Sequence, residues 1–486
     1  MNKPYREIIP GFPFHGEKQG ADDIYIITEE GELSYSEFHS RAERTAVWLA
    51  SMGVKKRDRC AIISGNSDEF MILVFAVWTI GAIPVPLNIR LLDSEIEQQA
   101  EKCRCSHIFT SRDLPSRNIT NAIVFPPEVL PDGEAEWSRK EEDDTALILF
   151  TSGSTGISKG VMLTFRNLAA SNKGTAGLTG NKINDRWLAS LPFYHIGGFS
   201  IPIRAYMNGI QTVIPKSIKA ENLLTVTDTF RPSLLSLVST SFRQMLEAGA
   251  KPWPELRYIF LGGGPVEEKL AKEAIEKKWP VIKVYGSTET SSMVTALKIN
   301  DHTDKLASAG RAISGNAIYI RDDNGNTLPA GEMGEVVIAG ESLMSGYFEE
   351  DNLTKEKLRD NEYYSGDLGY LDEEGFLFIE MRRTDLIVSG GENINPLEVE
   401  RAISEYPGVK EVCVFPVTDE QWGQAAAAAI AADNEEIFDQ EDLRLFIRSR
   451  LAHYKVPKKI FFVPELPKTP LGKIKRELIA DIYREP

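Results

Sequence analysis

The sequence predicts an α/β protein. Its large N-terminal domain has parallel or mixed sheets in α/β layers plus a small β-rich unit, and a small α+β domain follows. Three observations predict this fold. The chain has 486 residues, which is enough for more than one core. Short apolar runs alternate with helical spacing past residue 300. Short strands separated by turn signals then follow, and after Arg382 comes a unit of about 100 residues, a common size for an independent core.

The alternation begins near the N-terminus. The runs Ile24–Ile27 and Glu32–Tyr35 predict a β-hairpin. The apolar segment Asp68–Gly81 predicts a helix, and either Asn66 or Ser67 is expected to cap its first turn.

The other strand candidates of the large domain are short apolar runs, several of which end in loops rich in Gly, Ser or Thr. They are Cys60–Ser64, Ala146–Thr151, Trp187–Leu191, Gln211–Ile214, Leu234–Val238, Tyr258–Leu261 and Val281–Tyr285. Ligands of open α/β sheets bind beyond the carboxyl ends of the strands, so we expect the site among these loops.

The C-terminal part carries its own strands and helices. Helices are predicted at Pro396–Tyr406 and Asp439–Leu451, and strands at Glu411–Pro416 and Lys459–Val463. The run Ala425–Ala432 predicts a buried strand packed against helices, although Ala is a poor strand former. The β-rich unit before this part is predicted from the runs Ala317–Arg321, Gly334–Ala339 and Phe376–Glu380.

Charge and cysteine content exclude several classes of protein. Lys and Arg number 55 and Asp and Glu 71, so a net charge of −16 gives no electrostatic footprint for nucleic acid. Four scattered cysteines are too few for a disulfide scaffold, and Cys103 and Cys105 lack the partners of a zinc site. Residues Met1–Gly20 contain no apolar stretch like that of a signal peptide, and the longest apolar run, Phe70–Val85, is too short for a membrane span. We expect a cytoplasmic protein.

The strongest motif is a loop of small polar residues directly after an apolar strand. It comprises Thr151, Ser152, Gly153, Ser154, Thr155, Gly156 and, near its end, Lys159. Small residues let backbone N–H groups approach a polyphosphate, hydroxyls add hydrogen bonds, and the lysine neutralises charge. The spacing of a Walker A loop is absent. A flexible surface turn is the alternative.

Three weaker motifs follow other strands. Gly262–Gly264 permits close approach of a flat ring, or forms only a tight turn. Tyr285–Glu289 ends with a hydroxyl beside a carboxylate, which suits Mg²⁺ and phosphate, or it caps a helix. Asp367 can accept two hydrogen bonds from a ribose diol, or it is a turn residue.

Two further residues stand in unusual settings. Lys473 follows Pro470 and Gly472 closely, which fixes the backbone around its charge; a solvated tail is the alternative. His195 lies in an apolar, Gly-rich segment, where a histidine is more often a packed structural residue than a general base. No Ser–His–Asp or Cys–His arrangement stands out.

Taken together, these motifs resemble the adenylate-forming superfamily of acyl-CoA synthetases, luciferases and peptide-synthetase adenylation domains. The resemblance runs from Leu33 to Lys473, with the motifs in the order and spacing of the family. It implies an N-terminal adenylation domain at 1–381, a hinge at 382–385 and a mobile C-terminal domain at 386–486. It also implies three small-molecule partners, a carboxylic acid, ATP and CoA, together with Mg²⁺. A homo-oligomer is compatible with it.

The resemblance assigns roles to individual positions. The catalytic positions are Lys473, Glu289, Thr288 and His195. ATP and AMP would be bound by the loop Thr151–Gly156 with Lys159, by Gly262, Gly263 and Gly264, by Tyr285, Gly286 and Ser287, and by Asp367 and Arg382. Mg²⁺ would be held by Glu289 and Thr155. CoA would contact Ser389, Gly390, Gly391, Trp422, Tyr454 and Lys455.

For the acid, the motifs most resemble o-succinylbenzoate–CoA ligases of menaquinone biosynthesis. A succinylbenzoate carries a second carboxylate, so its pocket needs a cation, for which Arg204 is the candidate; a solvated helix charge is the alternative. His195, Phe199 and Met293 complete the expected acyl pocket. Fatty acyl-CoA and aryl-CoA synthetases remain alternatives, because an apolar tunnel fits Phe199 and Met293 as well.

The sequence also departs from the family pattern. Ser365 stands where the family has Thr, Met381 replaces the Gly before the ribose arginine, and Thr384 replaces an acid of the hinge. A stand-alone adenylation enzyme that loads a carrier protein is another alternative, although no carrier domain is attached. A non-catalytic relative is expected to lose Lys473 or Glu289, and both are present.

The role implied for Lys473 gives a first prediction. Lys473→Ala should abolish adenylation, because the lysine acts on charge that develops at the α-phosphate; loss of such a contact raises a barrier by about 3–4 kcal/mol. Thioester formation from supplied acyl-AMP should survive. Stopped-flow assays of the two half-reactions measure this, and an equal loss in both would contradict the assigned role.

Overall fold

The computed structural model describes residues 22–114, 117–133, 135, 138–151, 158–264, 266–382, 386–432, 439–467, 474 and 476–483. The chain divides into two compact units. The first comprises Met1–Ile89, Glu97–Phe150 and Gly160–Met381, and the second Arg90–Ile96, Thr151–Lys159 and Arg382–Pro486.

Strands and helices follow one another along the whole described chain. Up to residue 151 they are β1 Ile24–Thr28, β2 Gly31–Ser34, α1 Tyr35–Ser51, β3 Arg59–Ile63, α2 Asp68–Ile80, β4 Ile83–Pro86, α3 Asp93–Lys102, β5 His107–Ser111, β6 Ala122–Phe125 and β7 Thr145–Thr151. From residue 158 to 312 they are β8 Lys159–Thr164, α4 Phe165–Thr179, β9 Arg186–Leu188, α5 Ile196–Asn208, β10 Gln211–Val213, α6 Ala220–Phe230, β11 Leu234–Leu237, α7 Ser239–Glu247, β12 Tyr258–Leu261, α8 Glu268–Glu276, β13 Val281–Ser287, β14 Ser292–Lys298 and β15 Arg311–Ala312.

The remaining elements form the β-rich part and the C-terminal part. The β-rich part has β16 Asn316–Arg321, β17 Gly334–Gly340, β18 Gly346–Tyr347, α9 Asp351–Lys357, β19 Leu358–Arg359, β20 Glu362–Leu371 and β21 Leu377–Arg382. The C-terminal part has β22 Ile387–Ser389, β23 Glu392–Ile394, α10 Pro396–Ser404, β24 Val409–Asp419, β25 Gly423–Ala432, α11 Gln440–Arg448, β26 Lys459–Val463 and α12 Arg476–Ile482.

A nine-stranded mixed sheet is the main support of the first unit. Its order is β15-β14-β13-β12-β11-β9-β10-β1-β2, with parallel pairs from β13 to β1 and antiparallel pairs at both edges. Alternate residues of β12 enter two apolar clusters: Phe260 belongs to one, and Ile259 and Leu261 to the other. Because both faces are covered, its strands read as continuous apolar runs. The predicted β1–β2 hairpin and the predicted α/β class are confirmed.

Three smaller sheets complete the first unit. The order β4-β3-β5-β6 is fully parallel. The strands β18-β8-β7 form a three-stranded sheet, and β16-β17-β20-β19 with β21 beside β20 form the β-rich sheet that the turn signals predicted. Helix α2 is buried around its whole circumference, which explains its unbroken apolar sequence, and Ser67 caps its first turn. Within the described part of the chain, no helix combines the length and apolarity that crossing a membrane requires.

The Ala-rich strand β25 is the centre of the second unit's sheet, which has the order β23-β22-β25-β24 with β26 parallel to β25. One face of β25 packs with residues of α10 and α11, and the other with residues of α12. Because both faces are covered, small side chains allow the helices to approach. The predicted buried strand is therefore confirmed. Its place follows from packing on both faces, because alanine has a low strand propensity.

This packing predicts that a larger side chain in β25 is destabilising. Ala427 is fully buried, so Ala427→Leu should cost about 1–3 kcal/mol of stability through overpacking. Hydrogen exchange of peptides over residues 423–432 should become faster. Thr418→Leu, at an exposed position of the neighbouring β24, is the matched control and should leave exchange unchanged. Native protection in Ala427→Leu would mean that this face has spare room.

Candidate active site

The turn between β13 and β14 carries the motif Tyr285–Glu289. The strand ends at Ser287, and Thr288–Thr290 forms a single 3-10 turn. Gly286 is required here, because a Cβ at this position would lie 1.8 Å from the carbonyl oxygen of Ser292. The Thr290 hydroxyl closes the turn by accepting from the Ser287 amide at 2.9 Å. Thr288 and Glu289 are thus held at the end of the sheet, in a strand–turn setting and not in the first turn of a long helix.

Two tyrosines lie against the carboxylate of Glu289. The Tyr347 hydroxyl donates to Glu289 Oε1 at 3.0 Å, and Tyr363 hydrogen-bonds to Tyr347. Burial, together with the neighbouring carboxylate, raises the pKa of Tyr347 well above its ordinary value, so its hydroxyl stays protonated and donates. No donor of the described residues hydrogen-bonds to Glu289 Oε2. A hard carboxylate oxygen in this position, with the Thr288 hydroxyl next in sequence, fits Mg²⁺.

Asp367 meets Tyr285 across two sheets. The Tyr285 hydroxyl donates to Asp367 Oδ2 at 2.6 Å. Asp367 belongs to strand β20 and its backbone N–H donates to the Ser365 hydroxyl at 3.0 Å, while Gly366 beside it has a φ of +81°. The turn alternative for Asp367 is therefore wrong: it is a strand residue whose carboxylate has a fixed partner. Ser365, the residue that departs from the family pattern, also donates to the Val336 carbonyl at 2.6 Å.

The three glycines 262–264 follow β12 directly. A Cβ on Gly262 would lie 2.7 Å from Val284 Cγ2, and Gly263 has a φ of +77°. The first two glycines are thus required by close packing on β13 and by backbone conformation. The segment bends directly after β12, beside the strand that carries Tyr285.

His195 is the residue before α5, in a loop that Asn66 fixes. The Asn66 amide donates to the carbonyls of Ala189 and Leu191 at 3.0 and 2.8 Å, and its oxygen accepts from the Phe193 amide at 2.9 Å. Of the two capping candidates for α2, Ser67 is the cap, which leaves Asn66 for this loop. That role could not be predicted from the sequence, because the contacts join residues more than 120 positions apart.

Arg204 lies inside α5 with a side chain only 3% exposed. Its guanidinium donates to the Ser171 hydroxyl at 2.8 Å, and that hydroxyl donates to the Ser291 carbonyl at 2.6 Å. No carboxylate of the described residues pairs with it, and burial lowers its pKa to about 9. The alternative of a solvated helix charge is wrong. Arg204 is a buried cation without a counter-charge in the described protein.

The other two acyl-pocket candidates belong to the apolar core of the first unit. Phe199 is fully buried and meets the rings of Phe70 and Trp78 edge-on, with centroids 6.4 and 6.3 Å away. Met293 in β14 is 5% exposed and belongs to the same apolar cluster. Neither residue shows a contact that distinguishes an acyl tunnel from ordinary packing.

The candidates for CoA binding lie in the second unit. Gly390 and Gly391 form the turn between β22 and β23, and a Cβ on Gly390 would lie 2.5 Å from the Trp422 ring. The Gly390 amide also donates to the Trp422 carbonyl at 3.0 Å, and Ser389 pairs with Gly423 in β25. Lys455 is buried and pairs with Glu398 at 2.8 Å, and Tyr454 precedes it. The structure therefore brings Ser389–Gly391 and Trp422 together and gives Lys455 a structural partner.

Several candidates lie outside the described residues. They are Ser152, Gly153, Ser154, Thr155, Gly156 and Lys473, together with the side chain of Arg382. Thr151 ends β7 and Lys159, which is 8% exposed, begins β8. The loop motif thus stands between two paired strands.

Comparison with protein families decides the membership of the chain. The model of the AMP-binding enzyme family matches residues 14–348, and that of the AMP-binding enzyme C-terminal domain matches residues 398–473. The chain belongs to the AMP-binding enzyme family. The resemblance drawn from the motifs is thereby confirmed.

This AMP-binding enzyme has relatives and structural neighbours over nearly its full length. A 2-succinylbenzoate–CoA ligase of Bacillus cereus is 34% identical over 469 residues, 96% of each chain. A double mutant of o-succinylbenzoate CoA synthetase from Bacillus subtilis, bound with its product analogue OSB-NCoA, has a TM-score of 0.89 and 32% identity, covering 95% and 96% of the two chains. The Bacillus subtilis synthetase with ATP and magnesium has a TM-score of 0.73 and 32% identity, covering 95% and 97%.

The contact between Tyr285 and Asp367 gives a prediction for nucleotide binding. If Asp367 accepts from the ribose, Tyr285→Phe should weaken AMP binding about tenfold, because a charge-assisted hydrogen bond that fixes the carboxylate is lost. Isothermal titration with AMP measures this. Tyr319→Phe, a tyrosine on β16, is the matched control. Unchanged AMP affinity in Tyr285→Phe would argue against a ribose role for Asp367.

Proposed function

We propose that this AMP-binding enzyme is an ATP- and Mg²⁺-dependent 2-succinylbenzoate–CoA ligase of the cytoplasm. The observation that carries the substrate is Arg204, a buried guanidinium with one hydroxyl partner and no carboxylate partner in the described protein. The names of the Bacillus relatives point to the same acid.

The argument from Arg204 is energetic. A buried charge without a partner is costly, and proteins normally pair it or use it to hold a ligand. A substrate with two carboxylates supplies one for adenylation and a second for Arg204. Decanoate and benzoate have only one carboxylate, so they would leave the guanidinium uncompensated.

The reaction has two steps. A carboxylate oxygen attacks the α-phosphorus of ATP, and pyrophosphate leaves with the electrons of the broken P–O bond to give acyl-AMP. The thiol of CoA then loses its proton and its sulfur attacks the acyl carbonyl, which releases AMP and forms the thioester. Bound Mg²⁺ would neutralise phosphate charge, which is what phosphoryl chemistry needs most.

The roles of the chain's residues follow from their places. Glu289 and Thr288 would hold Mg²⁺ and the α-phosphate, and Asp367, fixed by Tyr285, would hold the ribose. Lys473 would neutralise charge during adenylation, and His195, on the loop that Asn66 fixes, would border the acyl group.

Further roles are proposed for residues of the loops and of the second unit. The phosphate loop 151–159 would hold the polyphosphate, with Thr155 on the metal. Gly390, Gly391 and Trp422 would contact CoA. The proposed domains are 1–381 for adenylation and 386–486 as the mobile part, joined by a hinge at 382–385.

A panel of acids tests the substrate. Pyrophosphate release with ATP and CoA should be fastest with 2-succinylbenzoate and much slower with decanoate and benzoate. Two analogues of the same skeleton test each carboxylate separately. In 4-oxo-4-phenylbutanoate the ring carboxylate is missing, and in 2-butanoylbenzoate the chain carboxylate is missing. The analogue that still turns over identifies the carboxylate that is adenylated. Faster turnover of decanoate than of 2-succinylbenzoate would reject the substrate assignment.

Substitution of Arg204 completes that test. Arg204→Met should lower kcat/KM for 2-succinylbenzoate by about 100-fold or more, because the second carboxylate then lacks its partner. The same substitution should have little effect on the reacting monocarboxylate analogue. The thermal midpoint of the free enzyme should not fall, because an unpaired buried charge has been removed. Equal losses of kcat/KM for 2-succinylbenzoate and for the monocarboxylate analogue would show that Arg204 does not bind the second carboxylate.

A further inference from the structure

Tyr347, on β18, is placed by contacts with neighbouring segments and by Gly346, whose backbone conformation other residues rarely adopt. Gly346 has a φ of +148°, and a Cβ there would lie 2.8 Å from Thr354 Cγ2. The Tyr347 amide donates to the Thr354 hydroxyl at 2.9 Å, and Tyr347 pairs with Val161 of β8. With its backbone held on both sides, the side chain is directed inward and is only 4% exposed.

The segment that carries Tyr347 is attached to the Glu289 turn at three places. The Met344 amide donates to the Glu289 carbonyl at 2.7 Å. The Ser291 hydroxyl donates to the Ser342 carbonyl at 2.7 Å, and the Tyr347 hydroxyl donates to Glu289 Oε1 at 3.0 Å. Backbone contacts therefore fix where the turn lies, and the hydroxyl contact fixes where its carboxylate points.

Tyr363 supports the hydroxyl of Tyr347 from the neighbouring sheet. It lies on β20, the strand that also carries Asp367, and it is 5% exposed. It hydrogen-bonds to Tyr347 and is close enough to interact electrostatically with Glu289, Tyr285 and Asp367. Two hydroxyl–carboxylate pairs, Tyr347 with Glu289 and Tyr285 with Asp367, thus share one neighbour.

We propose that Tyr347 is a positioning residue that orients the Glu289 carboxylate for the metal–ATP complex, with Tyr363 as its support. The hydroxyl occupies Oε1 and leaves Oε2, which has no donor among the described residues, to face a cation. Groups that orient metal ligands in this way typically change metal affinity or activity about 10- to 100-fold when they are removed. A role in packing alone would need only the ring, which phenylalanine also provides. This inference rests on the proposed ATP- and Mg²⁺-dependent function, but not on the identity of the acid.

The test removes only the hydroxyl. In Tyr347→Phe, the affinity of the enzyme–ATP complex for Mn²⁺, measured by electron paramagnetic resonance, should fall about 10- to 100-fold. Thioester formation from supplied acyl-AMP should be unchanged, which shows that the variant is folded. Tyr363→Phe should lower Mn²⁺ affinity by a smaller factor. Tyr370→Phe, on the same strand and stacked on Phe378, is the matched control and should bind Mn²⁺ like the parent enzyme.

A double-mutant cycle separates orientation from a general disturbance. If Tyr347 acts through Glu289, adding Tyr347→Phe to Glu289→Gln should lower Mn²⁺ affinity no further. Additive losses, or unchanged Mn²⁺ affinity in Tyr347→Phe, would overturn the proposal. Because Mn²⁺–ATP binding needs no acid, the orientation effect stands even if the enzyme rejects 2-succinylbenzoate. Failure of the parent enzyme to bind Mn²⁺–ATP would instead remove the proposed function and this inference together.

Discussion

The close approach of Gly286 to the Ser292 carbonyl is the constraint on which the proposed adenylation site depends. A side chain at that position cannot be accommodated, since its Cβ would lie 1.8 Å from the oxygen. The resulting bulge ends β13, shifts the register against β14 and turns Glu289 out of the sheet while Tyr285 stays in it. Tyr285 can then reach Asp367, and Glu289 can reach Tyr347. This close backbone approach therefore lies beside both hydroxyl–carboxylate pairs.

The fold was largely predictable because its strands are short, apolar and separated by punctuating residues. Burial on both faces makes such runs continuous, and that pattern is local in sequence. Segments set by pairing with distant strands were not predictable in the same way. Strand β18 consists of Gly346 and Tyr347 only, and it exists because β8 lies beside it. For the same reason the contacts of Asn66 and Tyr347 escaped sequence reasoning, since each requires two chain segments that only the fold brings together.

The places of single residues were harder to predict than the strands. Backbone geometry explains why positions 263 and 286 are glycines, whereas the nucleotide-binding roles expected for them and for Asp367 stay predictions. Its setting was mistaken for a possible turn, because Gly-Asp pairs are common in turns and the left-handed Gly366 occurs here inside a strand. The burial of Arg204 could not be predicted from the sequence, because Ser171, whose hydroxyl accepts its hydrogen bond, lies on another helix.

The acidic balance of the chain, −16, says little about its ligands, because charges interact strongly only over short distances or inside the protein. What matters is the local arrangement around one turn. Its tip carries the Glu289 carboxylate, whose Oε1 accepts from Tyr347, and its exit, Ser291, is linked through Ser171 to the guanidinium of Arg204. The turn is thus connected to an unpaired anion oxygen on one side and an unpaired cation on the other, within the described residues. A metal–nucleotide together with a dicarboxylate complements both charges, whereas a monocarboxylate complements only the first. If the proposed function holds, the hairpin that would bind the metal–nucleotide would therefore also favour a substrate with two acid groups.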